Sequence, residues 1–542
     1  MNRKTLYAIL LPIAGVLLLL LGIAIGHFMF GGKARDVAGM DKIHEVMSLI
    51  DQQYVDTLDS KTLTDMALTS LLASLDPHSE YIPKEDLQAV NEDLDGTFSG
   101  VGISFQIVND TVTIVEAITG GPAEKLGIMA GDRIISANGK SLTGSDVSNE
   151  DVFSTLRGKK GTKVTLEIKR LNSPHTFKYE VIRNDIPVNS VDAAYIIDGT
   201  DTGYIKLSKF TRNTYMEFLN ALVDLDSKGL KKLIIDLRGN PGGYMEQAIL
   251  IANEFLHPGQ KIVFTKSRTE ENKLDAVADG TGSHQNIPLA IIINEYSASA
   301  SEIIAGAIQD NDRGIVVGRR SFGKGLVQNQ TMLPDSSAIR LTVARYYTPS
   351  GRSIQKEYKI GEAIDYDRDI LDRYNRGEFF HIDSVSLDRT KKFRTIGGRT
   401  VYGGGGIMPD VFVPEDTVGV TTYYLNVSNG GLIQQFAFGM ADRYRPLMKG
   451  VKKAGHALEI IPEDDPLIEE FAEFAEERGV PARWYYINIS AELIANQIKS
   501  FVIRDLLGYN DFYEIFNRTD RTIQAAVEFL NEGKIPERPI SR

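Results

Sequence analysis

Three short apolar runs constrain the fold of this chain more than any other feature: Leu233-Ile-Ile-Asp-Leu-Arg238, Leu289-Ala-Ile-Ile-Ile-Asn294 and Gly314-Ile-Val-Val-Gly318. Each reads as a buried strand, and each gives way to a turn built of glycine or serine. Together they predict three loops at one edge of a single sheet, where α/β folds assemble ligand-contacting groups. The first loop, Gly239-Asn-Pro-Gly-Gly243, lets backbone N–H groups approach a ligand closely, although alone it is also a plain strand-ending turn. The second, Ser297-Ala-Ser-Ala-Ser-Glu302, runs into a helix-like segment ending at Ile308. Its middle hydroxyl therefore sits on a strand-to-helix turn, beside N–H groups able to hold an oxyanion. By itself such a cluster is an ordinary helix cap.

The third loop changes the balance. Gly323-Lys324-Gly325 places a lysine between two glycines, which permits burial by close backbone packing. A lysine that accepts a serine proton near pH 7 must fall from a pKa of about 10.4 to roughly 7 or 8, a cost of about 4 kcal/mol that desolvation supplies. None of the eight histidines makes a convincing competitor: His284 lies in a polar Gly-rich stretch and His257 in a helix-ending turn. The lysine stretch also nearly spells a phosphate loop, Gly318 and then Gly323-Lys324. That motif fails at Gly325, where Ser or Thr is needed, and Leu326 to Met332 alternates like a strand instead of opening a helix.

The blocks DLRGNPGG (236–243), SASASE (297–302), GRRSFGKGLVQ (318–328) and YYTPSGRSIQ (346–355) resemble the signatures of the carboxyl-terminal processing peptidases, the tail-specific protease family, over roughly residues 40–415. The resemblance implies a crotonase-like α/β core, with Ser299 as nucleophile, Lys324 as general base and Gln328 holding the lysine. It also implies an oxyanion hole at the N–H groups of Gly243 and Ala300, with Gly242 the near miss. Arg319 and Arg320 depart from the acidic or neutral pair expected there, a difference expected to touch surface details only.

Residues 96–185 form a β-rich stretch punctuated by turns, among them Gly121-Pro-Ala-Glu124 and Gly131-Asp-Arg-Ile-Ile-Ser-Ala-Asn-Gly139, and resemble a PDZ domain. Such a domain captures a C-terminal peptide as an added strand; the matching loop is Gly100, Val101, Gly102, Ile103, Ser104 and Phe105. In Leu156-Arg-Gly158, Arg157 is the candidate for a regulatory contact that holds an active position.

The expected organisation is a multidomain α/β chain. Residues 1–35 are a cytoplasmic tip and membrane anchor, 36–95 a helical region with Ile43, Val46, Met47 and Ile50 on one face, and 96–185 the PDZ domain. Residues 186–415 are the protease core, and 416–542 a helical extension of unassigned role. The anchor rests on Thr5 to Phe30, 26 uncharged residues, about 39 Å as a helix and enough for a hydrocarbon core of roughly 30 Å. Arg3 and Lys4 before it favour a cytoplasmic N-terminus, and so a single-pass inner-membrane protein with its catalytic part in the periplasm. His78, in Ser74-Leu-Asp-Pro-His-Ser79, reads as structural.

A net charge of −12 with no basic block speaks against nucleic acid as a partner. No cysteine and no His-Glu-x-x-His spacing occurs, so neither a cofactor nor a metal is expected. The expected partners are proteins or peptides with accessible C-terminal tails, with a homo-oligomer left open. Two rival readings are a catalytically silent PDZ adaptor, which would lack a dyad member, and a crotonase-type acyl-CoA enzyme, which would have no need of a PDZ insertion.

Overall fold

The computed structural model describes residues 39–108, 110–118, 120–170, 173–361 and 363–541. The Thr5 to Phe30 segment lies outside them, and among the described residues no helix is long and apolar enough to cross a membrane. The first described elements are the helices Met40–Gln53 and Ser60–Ala73. On the first of them Ile43 and Val46, from the expected apolar face, are exposed.

The three apolar runs form adjacent parallel strands, Lys232–Asp236, Leu289–Ile293 and Ile315–Gly318. Thr202–Leu207 and Val411–Phe412 extend this parallel array on either side, and Val191–Ile196 closes one edge antiparallel. Side chains alternate between two apolar layers with the period of a strand. Leu233, Ile235, Leu289, Ile291 and Ile293 face Phe218, Ala248 and Ile304 from the helices Thr214–Ser227, Met245–Asn253 and Ala300–Asp310. Ile234, Ala290 and Ile292 face the other way, onto Ile523, Ala526 and Phe529. At about 1.5–3 kcal/mol per buried aliphatic side chain, this double burial dominates the stability of the sheet.

The second layer comes from the far end of the chain. Helix Arg521–Glu532 belongs to the expected C-terminal extension, yet it covers one face of the core sheet, and Ile540–Ser541 adds the sheet's last strand beside Val411–Phe412. Its residues Ile523, Ala526 and Phe529 recur at helical spacing and need an apolar surface, which the core strands provide. Between residues 422 and 516 six helices do enclose a core of their own, around Phe436, Phe471, Ile494 and Ile498.

A second, five-stranded antiparallel sheet is organised around Ala338–Tyr347, which pairs with Glu80–Ile82, Lys261–Ser267 and Leu326–Met332. The last of these is the stretch whose alternation argued against a phosphate loop.

Residues 103–182 form a six-stranded sheet with the helix Asn149–Leu156 and an independent core around Val112, Ile134, Val152 and Leu166. Strand Ile103–Val108 ends the strand order, and among the described residues Thr111–Ala117 is its one paired strand, which leaves its outer edge able to take an added strand. The module is attached at its ends through one antiparallel pair, Thr97–Gly100 with Asn184–Pro187, where the Val188 N–H donates to Gly96 O at 2.8 Å. It also touches the C-terminal helices, Arg133 pairing with Asp442 at 2.6 Å and Gln106 Nε2 donating to Gln434 Oε1 at 3.2 Å.

Candidate active site

Because the three central strands are parallel, the glycine, serine and lysine loops all leave from their C-terminal ends. Two of the three serines are spent on fastening these loops. Ser297 Oγ donates to Leu237 O at 2.8 Å, Ser301 Oγ to Asn240 O at 3.0 Å, and both side chains are fully buried. Ser299, between them, is half-buried and caps the helix Ala300–Asp310 with φ 54° and ψ −113°. A non-glycine residue in that region carries about 1–3 kcal/mol of backbone strain and persists only where its surroundings hold it.

The surroundings are specific. Gly242 lies so close that a Cβ there would sit 2.7 Å from Ser299 Cβ and 2.9 Å from Ala298 O. Its N–H donates to Asn240 Oδ1 at 2.8 Å and is therefore committed. Gly243, at φ 141°, passes so near Phe210 that a Cβ would meet its carbonyl oxygen at 2.1 Å. The N–H groups of Gly243 and of Ala300 donate no hydrogen bond among the described residues. Two uncommitted donors from different loops thus flank Ser299, an arrangement able to bind an oxyanion.

Lys324 is half-buried, and burial, with help from the Arg340 charge, holds its pKa below the ordinary lysine value against the pull of Glu80, Asp76 and Glu302. Its Nζ donates to Gln328 Oε1 at 3.2 Å, and no hydrogen bond joins it to Ser299 Oγ. Gln328 in turn donates through Nε2 to the carbonyl oxygen of His78. The imidazole of His78 is pushed down to about 4, first by burial and then by the Lys324 charge, so it is neutral at pH 7. Its Nε2 lies 2.9 Å from Tyr366 Oη, and the Asp76 carboxylate knits the surrounding turn by accepting from Ser79 N–H, Ser79 Oγ and Thr342 Oγ1. The backbone of His78 reaches the lysine through Gln328, while its ring is taken up by Tyr366, in keeping with a structural role.

Glu302 is the residue that the sequence reading passed over. It is fully buried, and one of its carboxylate oxygens accepts from the N–H groups of both Ser299, at 2.9 Å, and Lys324, at 2.8 Å. The other accepts from Ser321 Oγ at 2.5 Å and Gly323 N–H at 2.8 Å. Burial pushes the carboxyl up to about 7 against these four donors. One side chain thus ties the serine turn to the lysine loop. Its signal was present in the sequence, since Ser-x-x-Glu is the spacing of a capping box.

Arg319 and Arg320 are not surface details. Arg320 is buried against Glu378 at 2.7 Å, and Arg319 pairs with Glu295 at 2.8 Å and with Glu415 at 2.6 Å. Arg373, from the charged stretch after residue 356, shares Glu378 and donates to the carbonyls of Ser321 and Arg320 at 3.0 and 2.6 Å. Buried cations must be paired, and the lysine loop is braced from behind by that pairing.

On the PDZ-like module, Val101 and Ile103 are buried, and the N–H groups of Val101 and Gly102 donate no hydrogen bond among the described residues. Gly100 is engaged in the strand pair with Asn184, while Ser104 and Phe105 lie in the open-edged strand and the Phe105 ring meets Phe153 at 5.2 Å. Arg157 is exposed and stacks over the rings of Phe98 and Phe153, each at 4.9 Å, on the module itself.

Comparison with known proteins bears on the same segments. Peptidase family S41 matches residues 201–368, a PDZ domain residues 113–170, and a family of unknown function residues 423–508. The carboxy-terminal-processing protease of Bartonella bacilliformis is 38% identical over 315 residues, covering 57% of this chain and 71% of that protein. The carboxy-terminal processing protease CtpB of Bacillus subtilis is 36% identical over 326 residues, covering 60% and 67%. Among solved structures, the photosystem II D1 C-terminal processing protease is 29% identical and aligns over 58% of this chain and 89% of that one, with a TM-score of 0.33.

Proposed function

Because the chain belongs to the carboxy-terminal processing proteases of peptidase family S41, we propose that Ser299 is its nucleophile, Lys324 its general base, and the Gly243 and Ala300 N–H groups its oxyanion hole. It is a serine-type peptidase carrying a PDZ domain. The observation that carries the assignment of roles is the strained Ser299 flanked by two uncommitted N–H donors, with the lysine loop tied to the same carboxylate as the serine turn.

The neutral Nζ of Lys324 leaves Gln328, reaches Ser299 and takes the Oγ proton as Oγ attacks the scissile carbonyl carbon. The resulting oxyanion lies between Gly243 and Ala300. Collapse breaks the C–N bond, and the departing amine takes the proton back from the Lys324 ammonium. The Lys324 amine, neutral again, then takes a proton from a water that attacks the Ser299 ester, and the ammonium returns a proton to Oγ as the acyl–oxygen bond breaks and the new C-terminal product leaves. Gln328 holds Nζ in readiness at the start of the cycle.

Substrates are proteins whose unstructured C-terminal tails add to the open edge of Ile103–Val108, their carboxylates meeting the Val101 and Gly102 N–H groups. On this reading the Thr5 to Phe30 segment anchors the chain in a membrane, with the peptidase on the periplasmic side; its uncharged length and the preceding Arg3 and Lys4 support that placement.

The test is turnover of an unfolded protein with an apolar C-terminus by the wild type, Ser299→Ala, Lys324→Ala and the double variant. Members of a catalytic unit are not additive, so all three variants lose a similar and very large factor in kcat. Substantial turnover by Lys324→Ala removes the lysine from the role of base.

A further inference from the structure

Tyr346, the penultimate residue of strand Ala338–Tyr347, touches both halves of the dyad at once. Its ring is buried in the core at 1% exposure, and its hydroxyl lies 2.6 Å from the carbonyl oxygen of Lys324 and 3.0 Å from that of Ser299. The Lys324 and Ser299 peptides are therefore bridged on both sides. A single oxygen of Glu302 collects their N–H groups, and a single hydroxyl faces their carbonyls. Burial and the neighbouring Glu302 charge raise the phenol well above its ordinary pKa, so the hydroxyl keeps its proton and remains a donor.

The two carbonyls do not depend on it equally. Ser299 O also accepts from the N–H groups of Glu302 at 2.9 Å and Ile303 at 3.0 Å, the first turn of the helix. Lys324 O has no other hydrogen-bond donor among the described residues. The strand that carries Tyr346 is itself fixed to the lysine loop, its N–H donating to Gly325 O at 3.0 Å.

From this geometry we propose that Tyr346 is a positioning residue for the peptidase reaction: its hydroxyl sets the Lys324 peptide at a fixed distance from Ser299, so that Nζ finds Oγ when it leaves Gln328. The inference rests on the Ser299/Lys324 assignment. Its consequence is one-sided. Without the hydroxyl the nucleophile turn keeps its helix hydrogen bonds, whereas the lysine loop loses the partner of its carbonyl and admits water beside the amine.

The experiment compares the full-length wild type with Tyr346→Phe, which keeps the ring and removes only the oxygen. Functional enzyme is counted by titration with a fluorophosphonate that labels the nucleophilic serine, so partial misfolding does not enter the rate. The expected result is a loss of about 10- to 100-fold in kcat per titrated site, the size of effect produced when a supporting hydrogen bond is lost. KM changes less than about twofold, because the hydroxyl touches no substrate. The acid limb of kcat/KM moves to higher pH, because a better-hydrated lysine regains its proton more easily. A variant with wild-type kcat per site and an unmoved acid limb overturns the proposal, even if it melts at a lower temperature, since a purely structural hydroxyl would change stability alone. Lys324→Ala, assayed in parallel, separates the two claims: if that variant still turns over, the dyad assignment falls and Tyr346 has no base to position.

Discussion

Replacing Glu302 by glutamine tests the clamp between the serine turn and the lysine loop through its dependence on pH. Burial raises this carboxyl from 4.5 to about 7, a gap worth about 3 kcal/mol. A group whose pKa is higher in the closed structure than in the open one contributes stability below its open-state value. That contribution is lost as pH rises through its closed-state value. Opening of the clamp should therefore become easier from pH 5 to pH 8 by about 2–3 kcal/mol, roughly 30- to 100-fold in the opening equilibrium. Glutamine cannot ionise. Its carbonyl oxygen is best placed toward Ser299 and Lys324, whose N–H groups can only donate, with the amide turned to Ser321, whose hydroxyl can reverse its role. The Gly323 N–H is then left facing an NH2 group, a fixed cost of about 1–3 kcal/mol. The assay is hydrogen exchange at the Ser299, Gly323 and Lys324 amides, corrected for the intrinsic pH dependence of exchange. In the wild type protection should fall with pH, and in Glu302→Gln it should be lower at pH 5 and level thereafter. Parallel pH profiles for the two proteins would refute the reasoning, because the carboxyl would then titrate as it does in water.

Three further outcomes follow from the site. Gln328→Ala should lose about 10- to 100-fold in kcat, since it removes the acceptor that holds Nζ but neither reacting group; full activity at every pH would deny the side chain a role. In the proposed mechanism only neutral Lys324 acts as base, and burial lowers its pKa, so kcat/KM should rise with pH, with a midpoint below the ordinary lysine value of 10.5, and collapse in acid. A profile flat from pH 5 to 9 would contradict that mechanism. A substrate with an amidated C-terminus should be cut more slowly than the free acid, because in the proposed binding mode it forfeits charge-assisted hydrogen bonds at Val101 and Gly102. Equal rates would mean that the PDZ domain does not read the carboxylate.

What could be read in the sequence depended on how local its cause was. The three core strands were legible because burial on both faces leaves an unbroken apolar run, and the loops after them followed from parallel topology. Ser299 alone read as a helix cap, and the glycine-flanked Lys324, with the phosphate-loop reading failing at Gly325, was what singled out the pair. Glu302 was hidden by its own helix, since a glutamate three residues after a serine is an ordinary cap until its second oxygen is seen to hold Gly323 and Ser321. Arg320 was misjudged because its partner, Glu378, lies 58 residues away, and the sequence gives no distance between them. Helix Arg521–Glu532 showed an apolar stripe, but a stripe does not name the surface it covers.

The neck of the PDZ domain has a consequence for how such a chain could be assembled and reassembled. Gly96 and Val188 are joined by one hydrogen bond, so the catalytic core meets the whole intervening segment as it would meet a tight hairpin. Closing a loop costs only slowly more as the loop grows, and a domain that folds around its own core adds almost nothing to the strain at its attachment points. Exchanging this module for a short turn, or for another domain with adjacent ends, would leave the strand pairing of the core in place but would take Arg133 away from the buried Asp442 of the C-terminal helices. On the proposed reading, tail selection and peptide-bond cleavage lie in different domains, open to independent variation in evolution and to transplantation in the laboratory where the contact at Asp442 is rebuilt.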